Sequence, residues 1–300
     1  LWVEPLPASE IAGRIRKLPL FASITVDELF RIANASKQVR HEGGAVLLQE
    51  GVVPGIVHVL LDGRVTASRA GEAPRTIEAA AAFGFVEALQ GAQTKRTIRA
   101  VDVAVTLALR AEELLTLLGD NTALVRGLFA TLADRVRPDT VSNLQATGAA
   151  PDLEHLAAGG LRPIDKILAL QRIPVFARIS AEEMLALADI THTEQMIAGQ
   201  PLFLASTPVA LWVVLSGEVA LSDTAERREA LARAGDVVGA LWMLSGRPVN
   251  YSATVVRRGV ALRIDREDLF DLVADRPDLL RQLFEGIFRM GSDAAVPAVR

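Results

Sequence analysis

The chain has 300 residues, half of them apolar and 23% charged, with a net charge of -4 and no cysteine. That composition excludes disulfides, thiolate metal sites and thiol nucleophiles, and it lacks the basic footprint of a nucleic-acid binder. The longest apolar runs, such as Val209 to Leu215, fall well short of the ~20 residues of a membrane helix, so the reading is of about two ordered domains with no membrane span.

In chain order, a Leu18-Pro19-Leu20-Phe21 step leads to Thr25 and Glu28, whose spacing predicts a capping box ahead of a helix with Leu29, Ile32 and Ala33 on one face. Gly44 then precedes the strand-like run Val46, Leu47 and Leu48, and a second run extends from Ile56 to Gly63. Phe83-Gly84 opens a short apolar turn of helix that closes at Gly91, with Lys95, Arg96 and Arg99 beyond it. Leu107 to Leu114 join a strand to a helix, and Leu124, Leu128, Phe129 and Leu132 mark the face of a closing helix from Thr122 to Val136.

These features return 155 residues later. Pro19 and Phe21 recur as Pro174 and Phe176, and Thr25 with Glu28 recurs as Ser180 with Glu183. Gly44 recurs as Gly199, Leu107 to Leu114 as Leu262 to Leu269, and the closing face as Leu279, Leu283, Phe284 and Ile287. The run Ala210 to Gly217 answers Ile56 to Gly63, with its glycine one residue early. A period this long is not a solenoid unit, so each copy is a domain. The expected fold is mainly β with flanking helices (α+β). It comprises two jelly-roll-like β-rolls in tandem, each of six to eight strands with an N-terminal helix and C-terminal helices. The boundaries are 12–137 for the first domain, 138–163 for a linker with one short helix near Asp152 to Leu156, and 164–291 for the second domain.

Around Phe83 to Ala100, a glycine ahead of a helical turn frees backbone N–H groups for an anion, and the following cations could complete its charge. A solvated Lys95–Arg96 pair at a strand entrance is the plainer reading of the same residues. The four histidines, His41, His58, His155 and His192, have neither metal-site spacing nor repeat symmetry, so no metal site is expected. No Ser/His/Asp ordering, Walker loop or Rossmann fingerprint is present, and the chain is read as non-catalytic.

Phe21 after Leu-Pro, the capped helix, Gly44, Glu50-Gly51, Asp62-Gly63-Arg64-Val65, Phe83-Gly84 and the closing helix together resemble the cyclic nucleotide-binding domain. The second copy resembles it through Phe176, Gly199, Leu215 to Val219, Gly235 to Gly239 and Ile264 to Leu269. The resemblance implies a phosphate-binding cassette in which a Gly-Glu pair, a short helix and a Pro-Arg step hold a cyclic nucleotide, cAMP or cGMP. The Glu would lie on the ribose hydroxyl and the Arg on the phosphate.

In the first copy an ungapped alignment puts Phe85 at the Glu position and Thr94 at the Arg position, beside Gly84, so both charges are missing. A two-residue slip puts Glu87 and Arg96 there instead, with Lys95 adjacent, and the ungapped register is preferred. In the second copy Gly239 is followed by Ala240, and the Arg position falls on Val249, Asn250 or Tyr251. Arg247 is its one nearby cation.

Two functions are therefore carried forward. The first is a regulatory sensor that takes a cyclic nucleotide or another small anion in domain 1 and has lost it in domain 2. The second is a ligand-free structural or oligomerisation module of a larger transporter- or enzyme-linked protein, with Leu280, Phe284 and Phe288 as candidate contacts to a protein partner or second copy. A cytoplasmic setting is expected for either.

Overall fold

The computed structural model describes residues 6–18, 21, 24–119, 121–135, 151–158, 161–223, 228–276 and 278–283. The chain divides into two compact units, Leu1–Leu128 and Phe129–Arg300. In the first, α1 (Ala8–Ile15) and α2 (Val26–Ala35) precede β1 (Lys37–His41), β2 (Val46–Leu48), β3 (Ile56–Asp62), β4 (Arg64–Ser68), β5 (Arg75–Glu78) and β6 (Ala81–Phe83). Then come α3 (Phe85–Gln90), β7 (Thr97–Ala100), β8 (Ala104–Arg110), α4 (Ala111–Gly119) and α5 (Thr122–Arg135), whose last residues fall in the second unit.

The second unit continues with α6 (Pro151–Ala158), α7 (Pro163–Gln171), α8 (Ala181–Asp189), β9 (Thr191–Met196), β10 (Pro201–Phe203), β11 (Leu211–Val214) and β12 (Glu218–Asp223). It ends with β13 (Arg228–Ala232), β14 (Val237–Val238), α9 (Ala240–Ser245), β15 (Ser252–Arg257), β16 (Gly259–Ile264) and α10 (Arg266–Asp275), and residues 278–283 are again helical. Among the described residues each copy thus has eight strands. Each also has a helix, α1 or α7, ahead of the capped one that the repeat pattern singled out.

The caps explain where the helices start. Thr25 Oγ1 accepts from the Glu28 N–H, and the Glu28 carboxylate accepts from the Thr25 N–H at 2.9 Å, so the expected box is complete. At α8 only half of it forms. Ser180 caps the Glu183 N–H, but its own N–H donates to the Gln282 side chain at 2.8 Å, and Glu183 instead pairs with Arg276 at 3.1 Å. The helix at 278–283 takes the partner that the second box would have used. Leu29, Ile32 and Ala33, and likewise Met184, Leu187 and Ala188, are buried on the faces that their spacing predicts.

The strands form four antiparallel four-stranded sheets, two per copy and in matching order: β1-β8-β3-β6 and β2-β7-β4-β5, then β9-β16-β11-β14 and β10-β15-β12-β13. This pair of facing sheets is the β-roll. Between the first pair lie Leu48, Leu60, Val65, Ala67, Phe83, Ile98, Ala100 and Ala104. Strand register reproduces the repeat: β1–β8 and β9–β16 superpose at 155, while β3 and β11 superpose at 154, since Phe83 faces His58 and Val238 faces Trp212. The early glycine in the sequence is this one-residue deletion ahead of β11.

Among the described residues no helix is long and apolar enough to cross a membrane. Leu280, a candidate partner contact, is 1% exposed and packed within its own chain, so it offers nothing to a second copy. Phe284 and Phe288 lie outside the described residues.

Candidate functional site

Each β-roll carries a six-residue helix between two left-handed glycines, α3 between Gly84 and Gly91 and α9 between Gly239 and Gly246. The glycines are required by the backbone. Gly239 has φ 80°, and a Cβ there would sit 2.7 Å from the Ala210 carbonyl oxygen and 2.9 Å from Val209. Gly84, at φ 84°, is less crowded, its nearest neighbour being Leu48 Cδ1 at 3.3 Å.

The return from each helix is pinned by a reciprocal pair of backbone bonds. The Gly51 N–H donates to the Thr94 carbonyl at 2.9 Å, and the Thr94 N–H donates to the Val52 carbonyl at 3.0 Å. In the second copy the Ser206 N–H donates to the Val249 carbonyl at 2.7 Å, and the Val249 N–H lies 3.5 Å from the Thr207 carbonyl. Both glycine pairs and both reciprocal bonds recur at 155, so the two cassettes have the same length. Thr94 corresponds to Val249, and Arg96 to Tyr251.

Phe85 is 6% exposed and turns away from the cassette mouth, lining a small apolar void with Ile15, Phe21, Leu107, Leu114 and Leu124. Glu87 is half-buried in the first turn of α3. Thr94 is buried and donates its hydroxyl to the Gln49 carbonyl. Lys95 is exposed. Arg96 forms an ion pair with Glu72, both side chains 41% exposed, and Glu72 also lies 3.4 Å from Arg69. Arg99 donates to the Gly44 carbonyl at 2.6 Å. Glu87 and Arg96 are thus on the same cassette as Gly84, with Arg96 held at the β4–β5 hairpin by a carboxylate.

In the second cassette Ala240 and Val249 are both buried. Tyr251, 5% exposed, packs edge-on to Phe203 at 5.5 Å, and its hydroxyl oxygen accepts from the Gly239 backbone N–H. Burial pushes its phenol up to about 12, against the smaller opposing effect of that hydrogen bond. The N–H at the head of this cassette is therefore occupied by the chain's own side chain. Asn250 reaches toward Asp223 at 3.5 Å. Arg247 is exposed and, with Pro208, Trp242, Arg266 and Glu267, lines an open cleft of about 470 Å³ on the outer flank of α9.

Sequence reading missed two clusters, because strand register rather than spacing assembles them. His41, Thr106 and His58 meet inside the first roll. His192 lies 3.9 Å from both Asp265 and Asp268 at the start of α10, placed there by the pairing of His192 with Arg263. Asp265 already accepts from Arg263 at 2.7 Å, and the positive end of α10 further opposes a cation at this point.

No curated protein matches the chain. Among solved structures, the cAMP-bound regulatory domain of protein kinase A from Toxoplasma gondii is 16% identical with a TM-score of 0.35, covering 89% of this chain and 94% of that one. The regulatory subunit of a cAMP-independent protein kinase A from Trypanosoma brucei is 17% identical with a TM-score of 0.35, covering 91% and 88%. The sensor domain of the transcriptional regulator DNR from Pseudomonas aeruginosa is 21% identical with a TM-score of 0.38, covering 44% of this chain and 99% of that one. Residues 193–276, from β9 to the end of α10, match the family model for the cyclic nucleotide-binding domain. The first roll repeats the strand order and cassette of the second, so the chain is a tandem of two like β-rolls, the second of which matches the cyclic nucleotide-binding domain family over residues 193–276.

Proposed function

We propose that the chain is a non-catalytic regulatory module in which the first β-roll receives a small anion of the cyclic nucleotide class, cAMP or cGMP, while the second is closed to ligand. The observation that carries this reading is the contrast at the paired positions Arg96 and Tyr251. Tyr251 is buried on the Gly239 N–H, and neither Ala240 nor Val249 supplies a charge, so a phosphate there would be desolvated without a counter-charge. Arg96 is a cation whose partner among the described residues is Glu72, in a half-exposed pair worth about 0–1 kcal/mol, which a bidentate phosphate can displace. Glu87 is the carboxylate available for a ribose hydroxyl.

The test is thermal unfolding of the full chain with cAMP or cGMP. A ligand at about 100 times its dissociation constant adds ~2.7 kcal/mol to the folded state. Arg96→Ala should abolish the shift and Glu72→Gln should strengthen it, since it frees Arg96, while Val249→Ala should leave it unchanged. If neither nucleotide shifts the wild type, the sensor reading fails and the ligand-free module stands. That second reading is favoured by Phe85, buried in apolar contacts, and by Thr94, whose hydroxyl is already bonded to Gln49.

A further inference from the structure

The interior of the first β-roll holds a polar chain that the second does without. Register places His58 opposite Phe83, and Thr106 opposite Leu60. Thr106 Oγ1 lies 3.2 Å from His58 Nδ1 and 2.9 Å from His41 Nε2. His58 and Thr106 are buried, while His41 is half-buried and in reach of solvent. In the second roll the ladders bring Met196, Trp212 and Ala261 to these three places, with Trp212 opposite Val238 and Ala261 opposite Val214. All three are buried. The fold closes there with apolar side chains, so packing does not require a polar chain in the first roll.

We propose that His41–Thr106–His58 is an acid-sensing element, in which protonation entering at His41 and reaching His58 loosens Phe83 and the cassette it leads into. A threonine hydroxyl has one hydrogen: it donates to one imidazole nitrogen and accepts an N–H from the other. A first proton, on His41, preserves this pattern, with His41 donating to Thr106 and Thr106 donating to His58. A second proton turns His58 Nδ1 into a donor as well. The Thr106 hydrogen then has no acceptor on either ring, and two cationic rings stand 5.7 Å apart, that of His58 buried. His58 stacks on Phe83 with centroids 5.7 Å apart and planes at 26°, and Phe83 immediately precedes Gly84.

Few other charges bear on this site. The facing sheet turns Leu48, Val65, Ala67, Ile98 and Ala100 inward. The charged groups on the elements packed around β3 are Lys37 and Arg40 on β1, with Glu42 paired to Arg40, Arg110 on β8, Glu10 and Arg14 on α1, and Glu87 on α3. Burial, then the neighbouring His41, push His58 down to about 4, and burial also lowers His41. The folded value lies below the ordinary 6.5, so the element is fully closed above pH 6.5 and weakens as pH falls toward 4. The device needs no ligand.

Hydrogen exchange on the full chain tests it. Between pH 7 and pH 5 the protection factors of residues 83–91 should fall by up to about 30-fold, while those of residues 238–246, which lack such a chain, should hold. Proton NMR should show His58 titrating well below His41. His58→Phe, which keeps an aromatic ring against Phe83, should abolish the pH dependence. A wild type that keeps its protection at pH 5 overturns the proposal whatever the variant does. So does a loss of equal size in His58→Phe, or a His58 that titrates near 6.5.

Discussion

Gly84 and Gly239 occupy one structural position in two copies, yet they should not tolerate substitution equally. Both need a positive φ, which costs any L-residue of order 1 kcal/mol. Gly239→Ala adds a collision with a backbone oxygen at 2.7 Å and with Val209, neither of which is a free side-chain end. Gly84→Ala meets the end of Leu48 at 3.3 Å, which can turn aside. Gly239→Ala should therefore destabilise its unit by roughly 3 kcal/mol or more and Gly84→Ala by about 1–2 kcal/mol, measured as shifts in denaturant midpoint with local exchange assigning the unit. Equal costs would show that the Ala210–Gly239 approach relaxes freely.

At the scale of elements, α9 is fixed at its C-terminal end by α10. Arg266 Nε donates to the Met243 carbonyl at 2.8 Å, while its guanidinium lies 4.8 Å from the centre of the Phe270 ring. One side chain thus gives a second donor to a carbonyl that also accepts from the Gly246 N–H at 3.2 Å, and packs on the helix that follows the roll. Arg266→Ala should cost about 1–3 kcal/mol and raise exchange across residues 240–246 more than across β15, whereas a uniform rise would deny the local role. Arg266→Lys should recover little, since an ammonium cannot hold the carbonyl and cover the ring together.

Much of this was legible in the sequence, and the rest was hidden for physical reasons. The repeat, the strand-rich rolls and the α2 cap follow from spacing, because helix and strand periods and capping residues are local. The half-formed cap at Ser180 depends on Gln282, a hundred residues away, and the His41–Thr106–His58 chain depends on which strands pair. The equal length of the two cassettes emerged only from the reciprocal bonds of Thr94 and Val249, since side chains alone left the arginine position open among Val249, Asn250 and Tyr251.

Across the whole chain, the buried group with the largest shift is a histidine in the first unit and a tyrosine in the second, so these two groups contribute to stability in opposite directions with pH. In the first unit His58 is held neutral, with a folded value of about 4 against 6.5 unfolded. The unfolded chain binds the extra proton in that window, so stability is full above pH 6.5 and about 3 kcal/mol of it is lost as pH falls to 4. In the second unit Tyr251 is held protonated, with a folded value of about 12 against 10. There the unfolded chain releases a proton first, so stability is full below pH 10 and about 2–3 kcal/mol of it is lost as pH rises to 12. Of the three tryptophans, Trp212 and Trp242 lie in the second unit and Trp2 in the first, so in a Trp2→Phe background the fluorescence reports unfolding of the second unit, while exchange at β3 and β8 reports the first. Acid should release β3 and β8 before it changes the tryptophan signal, and alkali should reverse that order. Tyr251→Phe should remove the alkaline loss but lower stability at neutral pH by about 1–3 kcal/mol, because the Gly239 N–H would be left without its acceptor. A common order of unfolding at both extremes of pH would mean that neither buried group governs its unit.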